Sequence, residues 1–114
     1  MIYHILAASE WAESSRKPLY APAAFDTDGY IHCCESEQLK HVVDHFFRDQ
    51  KDLTILCIDA AKLAAPVKYE DLNNEGMRFP HIYGKLNTDA VAKAVRFDPN
   101  TDANSVLNLL RIAP

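Results

Sequence analysis

The order of apolar and polar residues near the start of the chain predicts a short β-strand. Ile2, His4 and Leu6 fall on one face of this strand, and Tyr3 and Ile5 fall on the other. Largely apolar side chains on both faces indicate that other parts of the chain cover the strand on both sides.

A short helix and an irregular segment are expected next. Ser9 is placed to cap the helix, which has acidic residues early and basic residues late, as the helix dipole favours. Pro18 and Pro22 enclose a stretch with no regular period, and residues 26–29 have the composition of a turn. The turn leads into a predicted short strand over residues 30–33.

The clearest helical period follows Ser36, which is a candidate for the residue that caps the helix. Apolar residues recur after it at the spacing of one helix face. They are Leu39, Val42, Val43, Phe46 and Phe47. We expect all five to be buried, and we expect His41 and His45, on the opposite side of the helix, to be exposed.

The strongest strand signal lies in the second half of the chain. Residues 53–59 are apolar on both faces and are predicted to form a central strand, which ends where Asp59 caps a helical turn. Residues 67–70 alternate as a half-exposed strand does, and residues 79–84 are expected to be irregular or extended because Pro80 cannot donate a hydrogen bond. The last elements are a strand over residues 91–97 and a helix over residues 106–112.

Strands and helices therefore follow one another without regular βαβ alternation, which predicts a fold of the α+β class. A chain of 114 residues has the length of one domain, so a single domain over residues 1–114 is expected. No repeat, low-complexity stretch or linker divides it.

Composition and charge narrow the class of partner. Hydrophobic residues make up 48% and charged residues 25%, as in ordinary globular proteins. The net charge is -4 and the basic residues are scattered, so nucleic acid is not expected as a partner. No apolar run approaches membrane-spanning length, and Cys33, Cys34 and Cys57 cannot all pair within one chain. We expect reduced thiols, a cytoplasmic location and no contact with a membrane.

Three of the five histidines lie in short segments that also contain tyrosine, each on or beside a predicted strand. The segments are Tyr3-His4, Tyr30-Ile31-His32-Cys33 and Phe79-Pro80-His81-Ile82-Tyr83-Gly84. Imidazole serves as a hydrogen-bond partner, a general acid or base, or a metal ligand. If the segments converge, their histidines line one cleft; the alternative is three separate structural histidines.

Other chemical groups are weaker candidates. His41 and His45 have the spacing of a metal-binding pair on a helix, but their solvated face argues against it, and no metal is expected. Cys34 gains reactivity only if it lies at the start of the helix; otherwise it is a packing residue. Glu70 ends a predicted strand and is the best placed catalytic carboxylate, with a surface charge as the alternative.

Four motifs, in this order, resemble the bacterial family called domain of unknown function 952. They are Ile2-Tyr3-His4-Ile5, Gly29-Tyr30-Ile31-His32-Cys33, Leu56-Cys57-Ile58-Asp59 with Leu63, and Phe79-Pro80-His81-Ile82-Tyr83-Gly84. The resemblance covers about residues 2–97, which leaves residues 98–114 as a C-terminal extension. One departure is visible after His-Cys, where the family usually has a small hydroxyl residue and this chain has Cys34 and Glu35.

The resemblance implies a split β-sheet with flanking helices, similar to the fold of ADP-ribosylating toxins and their relatives around an NAD cleft. By position, His4 matches a histidine that hydrogen-bonds a ribose of NAD in that superfamily. Tyr30 or Tyr83 matches an aromatic residue that stacks on the nicotinamide ring. The glutamate that orients the reacting ribose has no secure counterpart, and Glu70 is the candidate. The resemblance thus makes NAD the expected cofactor.

Two hypotheses for the function follow. In the first, the chain binds a nucleotide or NAD-like small molecule in a cleft lined by His4, His32, His81 and nearby tyrosines, with ADP-ribosyl-transfer or phosphate-transfer chemistry. In the second, it is a non-catalytic ligand-sensing or partner-binding module whose histidines are structural. Metal binding by the same histidines is disfavoured because carboxylates and thiolates do not stand at ligand spacings.

Overall fold

The computed structural model describes residues 1–99, and these form eight β-strands, three α-helices and three short 3-10 helices. The strands are β1 (Ile2–Ala7), β2 (Leu19–Tyr20), β3 (Ile31–His32), β4 (Leu53–Ile58), β5 (Val67–Glu70), β6 (Phe79–Ile82), β7 (Leu86–Asn87) and β8 (Val91–Phe97). The α-helices are α1 (Ala8–Ser14), α2 (Phe25–Asp28) and α3 (Leu39–Phe46), and the 3-10 helices are Ser36–Gln38, Ala60–Lys62 and Thr88–Ala90. The fold is of the α+β class, as predicted. The helix predicted over residues 106–112 lies outside the described residues.

The strands β1, β4 and β8 form an antiparallel sheet in the order β1-β4-β8. Every residue of β4 is buried, because β4 is hydrogen-bonded on both edges and covered on both faces. The prediction of a central strand over this segment is confirmed. This sheet is called sheet A below.

A second antiparallel sheet has the order β3-β6-β5 and is called sheet C below. It meets sheet A where Tyr3 of β1 and Cys34, just after β3, exchange two backbone hydrogen bonds of 2.8 Å each. The short strands β2 and β7 pair separately. The sheet of the domain is thus split, and the junction between its halves lies beside the predicted histidine segments.

Two apolar clusters cover opposite faces of the split sheet. One contains Cys34 and the α3 residues Leu39 and Val43, and the other contains Cys33 and Tyr20. The neighbouring cysteines therefore point to opposite faces, as expected of adjacent strand residues.

The helix boundaries differ from the sequence prediction. The helix α1 follows β1 without a loop, and Ala7 precedes it with no side-chain cap, so the prediction of a cap at Ser9 is wrong. At the 3-10 helix Ser36–Gln38, which leads into α3, Glu35 rather than Ser36 forms the cap, in a reciprocal capping box with Gln38. The prediction of a cap at Asp59 is confirmed, since its side chain accepts a hydrogen bond from the Ala61 amide.

The apolar face of α3 is only partly buried. Leu39 and Val43 have no exposed surface, Val42 and Phe47 are half-buried, and Phe46 is 55% exposed. The prediction that all five are buried is therefore confirmed for Leu39 and Val43 and wrong for Phe46, with Val42 and Phe47 in between. The physical reason is that Phe46 borders an open cleft rather than the packed core. On the other side of the helix His45 is exposed as predicted, whereas His41 is half-buried, with Nε2 at 3.6 Å from an oxygen of Glu75.

Residues 79–82, which were expected to be irregular or extended, form the central strand of sheet C. Pro80 has no amide proton to donate, yet its carbonyl accepts a hydrogen bond of 3.1 Å from the Cys33 amide. The strand therefore tolerates proline at its centre. None of the helices within residues 1–99 has the length and apolar character needed to cross a membrane.

Candidate functional site

A cleft of about 340 Å³ lies between α3, the first strand and sheet C. Six of the seven side chains predicted for the site line it. They are Tyr3, His4, Tyr30, His32, Glu70 and His81. Tyr83 does not line the cleft but supports two residues that do. The expectation that the three histidine segments converge is therefore met by the geometry.

His32 and His81 are neighbours because β3 and β6 pair them directly across the ladder. Their ring centroids are 5.5 Å apart. Tyr30 packs on both rings, stacked on His81 at 4.4 Å with planes 28° apart, and 4.8 Å from His32. Tyr83 lies 5.3 Å from Tyr30 on the same patch. Four aromatic rings thus form one continuous surface at the cleft wall.

Glu70 joins this surface through two hydrogen bonds to the same carboxylate oxygen. The Tyr83 hydroxyl donates at 2.5 Å, and Nδ1 of His81 lies at 3.1 Å. These bonds stabilise the ionised form and hold the pKa of Glu70 below its ordinary value, the Tyr83 bond contributing most. The same bond raises the pKa of Tyr83 to about 12. Glu70 is therefore a fixed carboxylate.

The strand register explains how Glu70 reaches His81. Lys68 and Glu70 point to the same face of β5, and Lys68 is paired with His81, so Glu70 lies diagonal to His81 across the ladder. The Lys68 ammonium sits over the Tyr83 ring at 4.8 Å from its centroid. On the other face of β5 Tyr69 is 48% exposed, whereas Glu70 faces the cleft.

The carboxylate partners decide where each histidine carries its proton. An ionised carboxylate can only accept, so Nδ1 of His81 donates to Glu70, and in the neutral ring Nε2 is left without a proton. Likewise Nε2 of His32 donates to Asp28 at 2.9 Å. Two imidazoles, each oriented by a carboxylate, thus stand side by side and can accept hydrogen bonds or act as bases.

His4 has a different setting, because it is buried and both ring nitrogens have partners in the chain. Nδ1 donates to the His32 carbonyl at 2.7 Å, and Nε2 lies 3.1 Å from the Tyr20 hydroxyl. Burial lowers the pKa of His4 to about 4, so the ring is neutral near pH 7. His4 thus ties β1 to β3 directly beneath the site; its role toward a ribose stays a prediction.

The Tyr20 hydroxyl also lies 3.1 Å from an oxygen of Glu10 on α1. A neutral His4 that donates through Nδ1 can only accept at Nε2, so the single Tyr20 proton has two competing acceptors. Burial and the Glu10 carboxylate both raise the pKa of Tyr20. This connection is not visible in the sequence, because it depends on the position of β2.

The cysteines are free and buried, and burial raises the pKa of Cys34 to about 12. Its placement before α3 therefore does not activate it, and the packing interpretation holds. No group of histidine, cysteine, aspartate and glutamate side chains within residues 1–99 is arranged to hold a metal ion.

Asp28 and Glu75 are site residues that the sequence reasoning missed. Asp28 precedes His32 by four residues. That spacing predicts contact between two side chains on one helix, but it predicts nothing when a turn and the start of a strand lie between them. Glu75 lines the cleft from the loop after β5, whose path the sequence did not predict.

Residues 5–94 of the chain match the model of the family described as protein of unknown function, DUF952. The chain belongs to this family. The match covers most of the chain and contains all the cleft histidines except His4. No curated protein matches the chain.

Two solved structures of one protein share the fold. The X-ray structure of protein CC0527 from Caulobacter crescentus is 29% identical and has a TM-score of 0.80, covering 94% of this chain and 97% of that one. The solution NMR structure of CC0527 is 31% identical with a TM-score of 0.75, covering 90% and 88% of the two chains. These structures support the fold at the level of the family; the likeness to ADP-ribosylating enzymes stays a prediction.

Proposed function

We propose that this DUF952 protein binds a nucleotide or NAD-like small molecule in the histidine-lined cleft. The observation that carries the proposal is Glu70, a carboxylate fixed inside the cleft by His81 and Tyr83. The two imidazoles beside it supply hydrogen-bond partners for ribose hydroxyls. Tyr30 supplies an aromatic face on the same wall.

The geometry also fits the chemistry of splitting a glycosidic bond to nicotinamide. Such a reaction develops positive charge on the ribose, which a fixed carboxylate stabilises more strongly in the transition state than in the ground state. Glu70 is held in its ionised form and is already oriented, so little reorganisation is needed. In this reaction Glu70 holds a ribose hydroxyl. Water or a hydroxyl group of an acceptor forms a bond to the ribose carbon as the bond to nicotinamide breaks, nicotinamide leaves as the neutral ring, and the proton of the attacking group passes to solvent.

The second candidate is a non-catalytic ligand-sensing module. It is favoured by His4, whose ring nitrogens are both used within the protein and whose low pKa keeps it neutral. In this case the cleft binds the same class of small molecule, and Glu70 orients His81 without chemistry. Both candidate functions predict that the small molecule binds in the cleft, but only the first predicts that it is converted to product.

Binding and turnover are tested with the full chain. We expect NAD, ADP-ribose or nicotinamide mononucleotide to raise the melting temperature, since a ligand at 100 times its dissociation constant stabilises a fold by about 2.7 kcal/mol. Nicotinamide release from NAD is then followed by chromatography in wild type, Glu70→Gln and Glu13→Gln. Glu13 is the matched control, because it lies on the exposed side of α1.

Loss of release in Glu70→Gln alone supports the transferase. Binding without release in any variant supports the sensing module. If none of the three ligands shifts the melting temperature or perturbs amide resonances at the cleft, the proposal is wrong.

A further inference from the structure

The same cleft has a second half that the polar site does not use. The apolar face of α3 splits along its length: Leu39 and Val43 have no exposed surface, whereas Val42 and Phe47 are half-buried and Phe46 is 55% exposed. The three less buried residues line the cleft. Together with Ile5, Leu72 and Phe79 they form what we call the apolar half.

The apolar half is continuous with the polar site, since Phe79 begins the strand that carries His81 and both line one cleft. Leu72 and Phe46 in this half are 54% and 55% exposed. Burial of such apolar side chains by a ligand would gain free energy. The cleft volume of about 340 Å³ falls at the lower end of the range of small-molecule sites, roughly 300–1,000 Å³. A ligand that fills the cleft must therefore touch both halves.

Charge limits what the ligand can carry into the cleft. The ionisable acids that line it are Glu70 and Glu75, and no lysine or arginine belongs to its lining within the described residues. Lys68 lies over the Tyr83 ring, outside the lining. An anionic group placed in this cleft would face the carboxylates of Glu70 and Glu75, and their like charge makes that placement unfavourable.

We infer that the apolar half binds an uncharged or cationic planar ring that is joined to the polar part of the ligand. This inference deepens the proposed function. It rests on that function only for the identity of the polar part of the ligand. In a nucleotide or NAD-like ligand the ring occupies the apolar half, the sugar lies at His32, His81 and Glu70, and the phosphates extend out of the cleft. Ring recognition thus sets the specificity of the site.

The test uses three ring probes that lack sugar and phosphate: benzamide, the 3-carbamoyl-1-methylpyridinium cation and benzoate. Amide chemical shifts of the full chain are followed during titration with each probe. Benzamide and the cation are expected to perturb the amides of Val42, Phe47 and Phe79, with benzoate weaker by about tenfold because of its charge.

Two variants locate the probes. Val42→Phe fills the apolar half and should weaken benzamide by about tenfold or more, as expected when a pocket loses its space. Phe46→Ala removes an exposed ring at the mouth of the cleft and should weaken benzamide binding severalfold without unfolding the protein. This variant keeps the inference testable if Val42→Phe does not fold. Leu19→Phe, at a residue that is 50% exposed and not in the cleft lining, is the control and should leave benzamide binding unchanged.

The outcomes separate this inference from the proposed function. If benzamide binds in the expected order while NAD and its fragments do not bind, the apolar half is a ring site and the nucleotide proposal fails. If NAD binds but benzamide perturbs none of these amides, or benzoate binds as tightly as benzamide, the inference is overturned. Sedimentation that shows a dimer abolished by Phe46→Asp would assign the apolar half to a second copy of the chain, which also overturns it.

Discussion

Sheets A and C of this domain have contrasting composition. The central strand of sheet A, residues 53–58, is buried at all six positions, and Thr54 is its one polar residue. Sheet C is built from strands of two to four residues and carries His32, His81 and Glu70 on its cleft face. Stability is therefore concentrated in sheet A. Sheet A also contains His4, but three ionisable side chains of the candidate site lie together in sheet C.

The difference shows how a small domain accommodates a polar site. Ionisable groups are costly inside a core unless they are paired, and the two histidines of sheet C that line the cleft each have a carboxylate partner. Glu70 with His81 and Asp28 with His32 satisfy one another at the surface of sheet C. Sheet A then contributes the apolar burial that keeps sheet C in place.

The largest effect is expected from truncation in the central strand. Leu56→Ala should lower the free energy of unfolding by about 2–5 kcal/mol, since Leu56 has no exposed surface. Leu19→Ala is the same change at a residue that is 50% exposed, and should cost within about 0.5 kcal/mol. Urea denaturation of both variants measures the difference. Equal losses would show that stability is not concentrated in sheet A.

The same contrast explains how much of the fold was predictable. The three strands of sheet A were all predicted. β1 and β4 are apolar on both faces and largely buried, whereas β8 is exposed at alternate positions. In sheet C the strand over residues 67–70 was predicted, but residues 79–82 were left irregular or extended because proline weakens the signal for a strand. The two-residue strands β2 and β7 escaped prediction, since their pairing depends on tertiary contacts and not on a period.

A pH-dependent effect is expected where the two sheets meet, at His4. Its folded-state pKa of about 4 lies below the ordinary value of 6.5, so the unfolded chain binds a proton that the folded chain does not. Stability contributed by the neutral ring is complete above about pH 6.5 and falls as the pH drops toward 4, by about 3 kcal/mol in all. Unfolding free energies at pH 7 and pH 4.5 should show this loss.

The control for this prediction is His4→Asn, which does not titrate but keeps a donor near the position of Nδ1. Its stability should change less than that of the wild type between the two pH values. Parallel losses in both proteins would mean that other groups, such as the carboxylates of sheet C, account for the acid sensitivity.

The candidate site was predictable only in part. Tyrosine close to histidine marked the three converging segments, and in the structure Tyr30 packs on the rings of His32 and His81. The sequence could not show that His4 has both nitrogens occupied, or that Asp28 and Glu75 belong to the site. Those facts depend on the paths of turns, where spacing along the chain says little about distance in space.

Helix α3 contacts both the packed core and the cleft. Substitutions in this one helix therefore compare a buried position with a position that borders the cleft. Phe46→Ala should cost no more than about 1 kcal/mol, because the ring is 55% exposed and borders the cleft. Leu39→Ala should cost about 2–5 kcal/mol, because Leu39 has no exposed surface. Thermal or urea unfolding separates the two. A large loss in Phe46→Ala would mean that the cleft closes over this ring in solution.

The smallest effect, and the most local, is expected at Tyr83. Its pKa is raised to about 12, first by the hydrogen bond to Glu70, so removing the charge in Glu70→Gln should lower that pKa toward the ordinary value of 10.0. The tyrosine ring resonances, labelled with ¹³C and followed against pH, report each hydroxyl separately. Tyr69 serves as an internal reference, because burial and Glu35 raise its pKa and Glu70 does not contribute. If the Tyr83 resonance titrates at the same pH in Glu70→Gln as in the wild type, the hydrogen bond between Tyr83 and Glu70 is absent in solution. Glu70 is then not fixed in the cleft, and sheet C does not differ from an ordinary polar surface.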